Sequence, residues 1–172
     1  MFLTAFRALL RLGELVVPSN PKLLSQGKRV MRSTVTLSEE SFSFTLPYHK
    51  ADRFYSGCEV LVGSRPNSPD DAFPWFINYL NHRDSVFPFV PDLWIRADGS
   101  LPTRSWFLGR LAEFFDKSVS GHSLRAGGAT AMAEDGCPSL TIQIAGRWAS
   151  DSFTAYIRKH PEILAAQLSH NV

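Results

Sequence analysis

Gly121-His122-Ser123-Leu124-Arg125-Ala126-Gly127-Gly128-Ala129-Thr130 begins the stretch on which the reading turns. It continues through Gly146-Arg147-Trp148 to Phe153-Thr154-Ala155-Tyr156-Ile157. His122 and Arg125 stand three apart near an expected helix start, so both side chains reach one point. Arg147 and Tyr156 stand nine apart, with a turn expected at Ser150 between them. Two arginines, a histidine and a tyrosine this close in sequence can surround a phosphate. Arginine offers a planar fork of donors to nonbridging oxygens. Histidine moves a proton near neutral pH. Tyrosine serves as a covalent nucleophile. Taken singly, each also has an ordinary structural reading. A His-x-x-Arg pair recurs by chance, and a tyrosine in an amphipathic helix is usually core or rim. Gly127 and Gly128 each weaken a helix by about 1 kcal/mol relative to alanine. They therefore predict close helix packing or a cap, since no glycine-lysine motif follows to form a phosphate loop.

Outward from this stretch the pattern is mostly helical. A helix is expected over 123–134, stopped by Gly136 and Pro138, then shorter ones over 139–145, 151–158 and 161–168. Upstream, Thr103 is placed to cap a helix through Phe115. Ser68-Pro69-Asp70-Asp71 reads as a helix start, with the helix running towards His82 and Pro74 as a kink. Residues 2–16 carry apolar side chains at helical spacing (Phe2, Ala5, Phe6, Leu9, Leu10, Leu12), ended by Pro18, Asn20 and Pro21. Between them the period changes. Ser41-Phe42-Ser43-Phe44-Thr45-Leu46 alternates strictly, a strand with one buried face. Residues 35–37 and 60–62 read as its partners, with a turn at 38–40 and a longer connection at 47–57 that contains Lys50. The expected class is mainly α with a small three-stranded antiparallel sheet, α+β.

Composition sets the outer bounds. The chain has 172 residues, 44% hydrophobic and 12% aromatic, which suits one domain with a sizeable core. Its 18 Lys+Arg against 16 Asp+Glu exclude an acidic or basic tail as the organising feature. The surplus is uneven: +3 over residues 1–60, −2 over 61–99 and +1 over 100–172. Any phosphate-facing surface is therefore expected at the two ends of the chain. Cys58 and Cys137 lack a CxxC partner, so neither a disulfide scaffold nor a cysteine zinc site is expected, and free thiols suit a reducing compartment. The longest uncharged runs, 72–82 and 136–146, are too short to span a membrane. Arg7 and Arg11 interrupt the N-terminal apolar run, so no signal peptide is read and an intracellular location is expected.

An ordered set of motifs resembles the tyrosine recombinase (phage integrase) family. Leu10-Arg11-Leu12-Gly13-Glu14-Leu15 is similar to its first-arginine motif. Lys50 stands where the family carries a lysine on a β-hairpin. His122-Ser123-Leu124-Arg125 is similar to the histidine and second-arginine motif. Gly146-Arg147-Trp148 falls where the family has glycine followed by histidine or tryptophan, and Tyr156 matches the nucleophile. The order holds over nearly the whole chain, and the Gly-Arg-Trp form looks most like recombinases of eukaryotic mobile elements.

The resemblance implies a tyrosine recombinase catalytic-domain fold and DNA strand breakage and rejoining through a 3′-phosphotyrosyl link. Tyr156 would attack phosphorus. Arg11 and Arg125 would clamp the nonbridging oxygens, Lys50 would protonate the leaving 5′-oxygen, and His122 would assist as base or donor. Glu14 would orient Arg11 or its helix. No metal or other cofactor is implied. The implied partner is double-stranded DNA, engaged by a homo-oligomer, a tetramer in this family, and the location is nuclear if the source is eukaryotic. Two departures stand out. Position 147 is arginine, which cannot shuttle a proton at neutral pH. The chain also reads as one catalytic-type domain over 1–172, with a shortened first helix and without the separate DNA-gripping domain. The alternative is a non-catalytic DNA-binding remnant of a mobile-element recombinase.

Overall fold

Strict alternation over six residues fixes the sheet. Phe42, Phe44 and Leu46 are fully buried, and the intervening Ser43 Oγ donates to Glu59 Oε1 at 2.7 Å on the other face. The computed structural model describes residues 1–47, 57–150 and 153–154. The sheet consists of β1 (Thr36–Leu37), β2 (Ser41–Leu46) and β3 (Cys58–Gly63), antiparallel and in that order. Thr36 pairs with Ser43, and Phe44 pairs with Val60. The fold class is the expected one, with strand ends moved by one or two residues.

Helix α1 is Phe2–Arg7, α2 is Phe73–Val86 and α3 is Arg104–Leu111, followed by α4 (Gly121–Glu134) and α5 (Ser139–Gly146). The sheet's apolar face packs on α2. Phe42 stacks on Phe76 with ring centroids 3.7 Å apart, and Trp94 meets Phe44 edge-on at 5.8 Å. A second, smaller cluster of Leu9, Ala129, Ile142 and Phe153 lies where α4 and α5 meet the end of α1. An ion ladder joins the ends of α1 and α4 to the loop before α2: Arg7 binds both Asp70 and Asp135, and Arg65 binds Asp135.

Several helix boundaries differ from the sequence expectation. The helix expected over 2–16 stops at Arg7, and a separate 3-10 turn covers Leu12–Glu14. Between them Leu9 takes a positive φ of 49°. Ser68 does not cap α2. It turns back onto Asp70, its Oγ donating at 2.6 Å, and the helix begins at Phe73, whose N–H donates to Asp71 Oδ1 at 2.9 Å. Pro74 therefore sits in the first turn, where its missing N–H costs nothing, and makes no kink. Thr103 does cap α3, accepting from the Trp106 N–H at 3.2 Å, but that helix ends at Leu111, short of Phe115. Helix α4 begins two residues earlier than expected, because Ser120 and Ser123 cap it reciprocally. The expected helices over 151–158 and 161–168 lie mainly outside the described residues.

Close packing accounts for Gly128. A Cβ there would stand 2.1 Å from the Phe6 carbonyl oxygen, so α1 and α4 approach at a distance only glycine permits.

Candidate active site

The break after α1 shapes the centre of the molecule. Leu9 is fully buried in the left-handed region, an arrangement that costs on the order of 1 kcal/mol or more for a branched residue. Its carbonyl is thereby outside any helical ladder and available to distant donors. Two arginines take it. Arg125, on the second turn of α4, donates from Nη1 to the Leu9 carbonyl and from Nη2 to that of Gly146. Arg147 donates from Nη2 to the same Leu9 carbonyl at 3.1 Å.

Arg147 is the residue that ends α5, with φ 56° and ψ 43°. Its Nη1 donates to the carbonyls of Ala145 at 2.9 Å and Ala8 at 3.3 Å. Its Nη2 also donates to Glu14 Oε2 at 3.0 Å. Glu14 is the common anchor. Its Oε2 accepts from the Arg11 backbone N–H at 2.8 Å, and its Oε1 accepts from Arg11 Nη1 at 3.0 Å. Arg11, Arg125 and Arg147 are thus gathered around one carboxylate and one carbonyl, with a surplus of two positive charges among these four side chains. That surplus suits an anion.

The three arginines differ in access. The Arg11 side chain is 29% exposed, whereas that of Arg147 is 6% exposed and Arg125 as a whole is 4% exposed. The Trp148 ring covers the Arg125 guanidinium at 4.1 Å from the ring centroid, so Trp148 packs on the cluster. Gly146 permits that fold-back, since a Cβ there would fall 1.6 Å from the Trp148 ring. His122 is exposed on the first turn of α4, three residues before Arg125. Lys50 and Tyr156, the expected acid and nucleophile, lie outside the described residues.

Sequence reasoning anticipated that Glu14 orients Arg11 or its helix. It missed that Glu14 also holds Arg147, 133 residues away, and that the Leu9 carbonyl is a shared acceptor. No local pattern signals either contact. Among the described residues, no group of three or more His, Cys, Asp or Glu could hold a metal ion. No helix among them is long and apolar enough to cross a membrane.

This architecture is the tyrosine recombinase fold. XerA recombinase superposes with a TM-score of 0.71 at 18% identity, over 98% of this chain and 55% of that one. XerH site-specific recombinase, bound to its difH substrate in a pre-cleavage complex, gives 0.60 at 17% identity, over 96% and 43%. The Tn1549 transposon integrase, in complex with transposon right-end DNA, gives 0.55 at 16% identity, over 98% and 57%. The chain spans about half the length of these structures. At such identities the likeness is one of fold. No protein-family model matches the sequence, and no curated protein matches it.

Proposed function

We propose that the chain breaks and rejoins DNA strands in site-specific recombination or integration, through a 3′-phosphotyrosyl intermediate. The observation that supports this most is the gathering of Arg11, Arg125 and Arg147, from three distant parts of the chain, in a fold shared with DNA-bound recombinases. In this reading the Tyr156 phenol oxygen attacks the scissile phosphorus as the P–O5′ bond breaks. Lys50 gives a proton to the leaving 5′-oxygen, and His122 accepts or shares the phenol proton. Arg11 and Arg125 meet the nonbridging oxygens, where positive charge stabilises the pentacoordinate transition state. Rejoining runs the step backwards, with a 5′-hydroxyl attacking the phosphotyrosine.

The test is covalent capture. The protein is incubated with a randomised pool of nicked duplexes and denatured, and the adduct is sought on a gel. An adduct that disappears in Tyr156→Phe is the expected result. Absence of any adduct in the native chain overturns the proposal.

One observation favours a second reading, a DNA-binding remnant without chemistry: Arg125 directs both terminal nitrogens to main-chain carbonyls and is almost completely buried. Salt-sensitive DNA binding without an adduct would establish it.

A further inference from the structure

We propose that Arg147 is a positioning residue: it fixes the Glu14 carboxylate and the Leu9 carbonyl, through them sets Arg11 and Arg125, and does not touch the scissile phosphate. The inference rests on the strand-cleavage reading above and assigns a role within that site.

The donor count carries it. The two terminal nitrogens of a guanidinium hold four hydrogens. Those of Arg147 meet four acceptors: the carbonyls of Ala8, Leu9 and Ala145, and Glu14 Oε2. The remaining Nε is buried with no partner among the described residues. No terminal N–H of Arg147 is left for a phosphate oxygen. Arg11 is the opposite case. It binds Glu14 through its backbone N–H and Nη1, and its side chain keeps 29% exposure.

The contacts also have a direction. Glu14 Oε2 accepts from the Arg11 backbone and from Arg147, which leaves Oε1 aimed at Arg11 Nη1. Arg147 thus holds one side of the carboxylate whose other side orients Arg11. The Leu9 carbonyl is shared in the same way between Arg147 and Arg125. Glycine at 146 and the left-handed backbone at 147 turn the side chain into this position. Lysine would keep the charge but not the fork, and one ammonium cannot span four acceptors on two sides.

The experiment uses the full chain and the duplex sequence recovered from the adduct. Arg147→Lys, Glu14→Gln, the double variant and Arg11→Ala are compared by rate of adduct formation at saturating DNA and by DNA affinity. The expected result for Arg147→Lys is a rate loss of about tenfold or more with affinity within about twofold of the native chain. Glu14→Gln should lose rate to a similar degree, and the double variant should be no slower than the worse single, because the two act as one unit. A neutral methylphosphonate at the scissile position supplies the decisive readout. It removes the charge that the clamping arginines meet, so it should restore Arg11→Ala and, because Arg147 and Glu14 act through Arg11, Arg147→Lys and Glu14→Gln with it. Restoration of Arg11→Ala without that of Arg147→Lys and Glu14→Gln, an additive double variant, or a native rate in Glu14→Gln overturns the proposal while the strand-cleavage reading stands. The Glu14→Gln arm keeps the shape of the residue, so it decides the matter even if Arg147→Lys does not fold. A native chain that forms no adduct overturns both readings.

Discussion

Two arginines of this chain, Arg83 and Arg125, are buried almost equally, at 2% and 4% exposure. Both donate to main-chain carbonyls. Arg83 binds those of Asp92, at 2.7 Å, and Val90, and Arg125 those of Leu9 and Gly146. Their surroundings differ. Arg83 also donates to Asp84 at 2.6 Å, Arg32 grips the same carboxylate at 2.7 Å, and Arg29 pairs with Asp92 at 2.9 Å. Three cations there face two carboxylates. Around Arg125, three cations share one carboxylate among the described residues, that of Glu14. Carboxylates cancel charge, whereas carbonyl dipoles satisfy hydrogen bonds and leave the charge in place. The first arrangement fastens residues 29–32 to the end of α2 and the loop after it. The second holds a positive potential in the middle of the fold.

The comparison breaks most visibly at Arg83. Arg83→Met removes a buried cation and leaves Asp84 and two carbonyls short of donors. A stability loss of about 3–5 kcal/mol is expected, read as a fall in the denaturant midpoint. Below its melting temperature the variant should form the covalent adduct at the native rate. Arg125→Lys is the reverse case. It keeps the charge and loses the fork, so adduct formation should fall by about 100-fold or more with a smaller change in the midpoint. If Arg83→Met slows chemistry while Arg125→Lys only destabilises, the division of roles is wrong.

Gly128→Ala sharpens the comparison at the next size of effect. The added Cβ meets the Phe6 carbonyl backbone and must push α4 away from α1. A loss of about 1–3 kcal/mol is expected from overpacking. The same displacement moves Arg125 from the Leu9 carbonyl, so the variant should lose adduct rate as well as stability. A stability loss with an unchanged rate would show that the cluster tolerates a shift of α4.

Legibility in the sequence divides along the same line. The sheet was readable because its information is local: alternation in Ser41–Leu46 states which face is buried. Gly128 was readable because glycine inside a helix has few other reasons to be there. The break at Leu9 was not. Phe2, Ala5, Phe6, Leu9, Leu10 and Leu12 repeat at helical spacing, and the residues that stabilise the break, Arg125 and Arg147, lie 116 and 138 positions away. Tertiary acceptor demand overrode local periodicity. For the site, spacing marked which arginines to examine, but not which of them face inward. Arg147 reads as one more phosphate donor in the sequence, and only the full set of its acceptors distinguishes it from Arg11.

The smallest expected effect concerns acid. Burial would raise the Asp84 carboxyl, but hydrogen bonds from Arg32 and Arg83 outweigh it and hold the group below the ordinary carboxylate range. An unfolded aspartate titrates at about 3.9, so the folded form binds its proton less tightly. The stability this contributes is present above that value and is lost as pH falls through the lower, folded one. Asp92 shifts the other way, raised by burial against the pull of Arg29 and Arg83, so its titration opposes that of Asp84 in the same acid range. Asp84→Asn should therefore lower the midpoint modestly at neutral pH and flatten the loss of stability below about pH 4, measured by denaturant melts across that range. Because Asp84 is 36% exposed, solvent screens the pair and the flattening should be partial. In the Arg125 cluster, Glu14→Gln should instead lower the adduct rate more than the midpoint at neutral pH, since Glu14 orients Arg11 and Arg147. An acid limb unchanged in Asp84→Asn would mean that the carbonyls of Val90 and Asp92, and not the Asp84 carboxylate, hold Arg83.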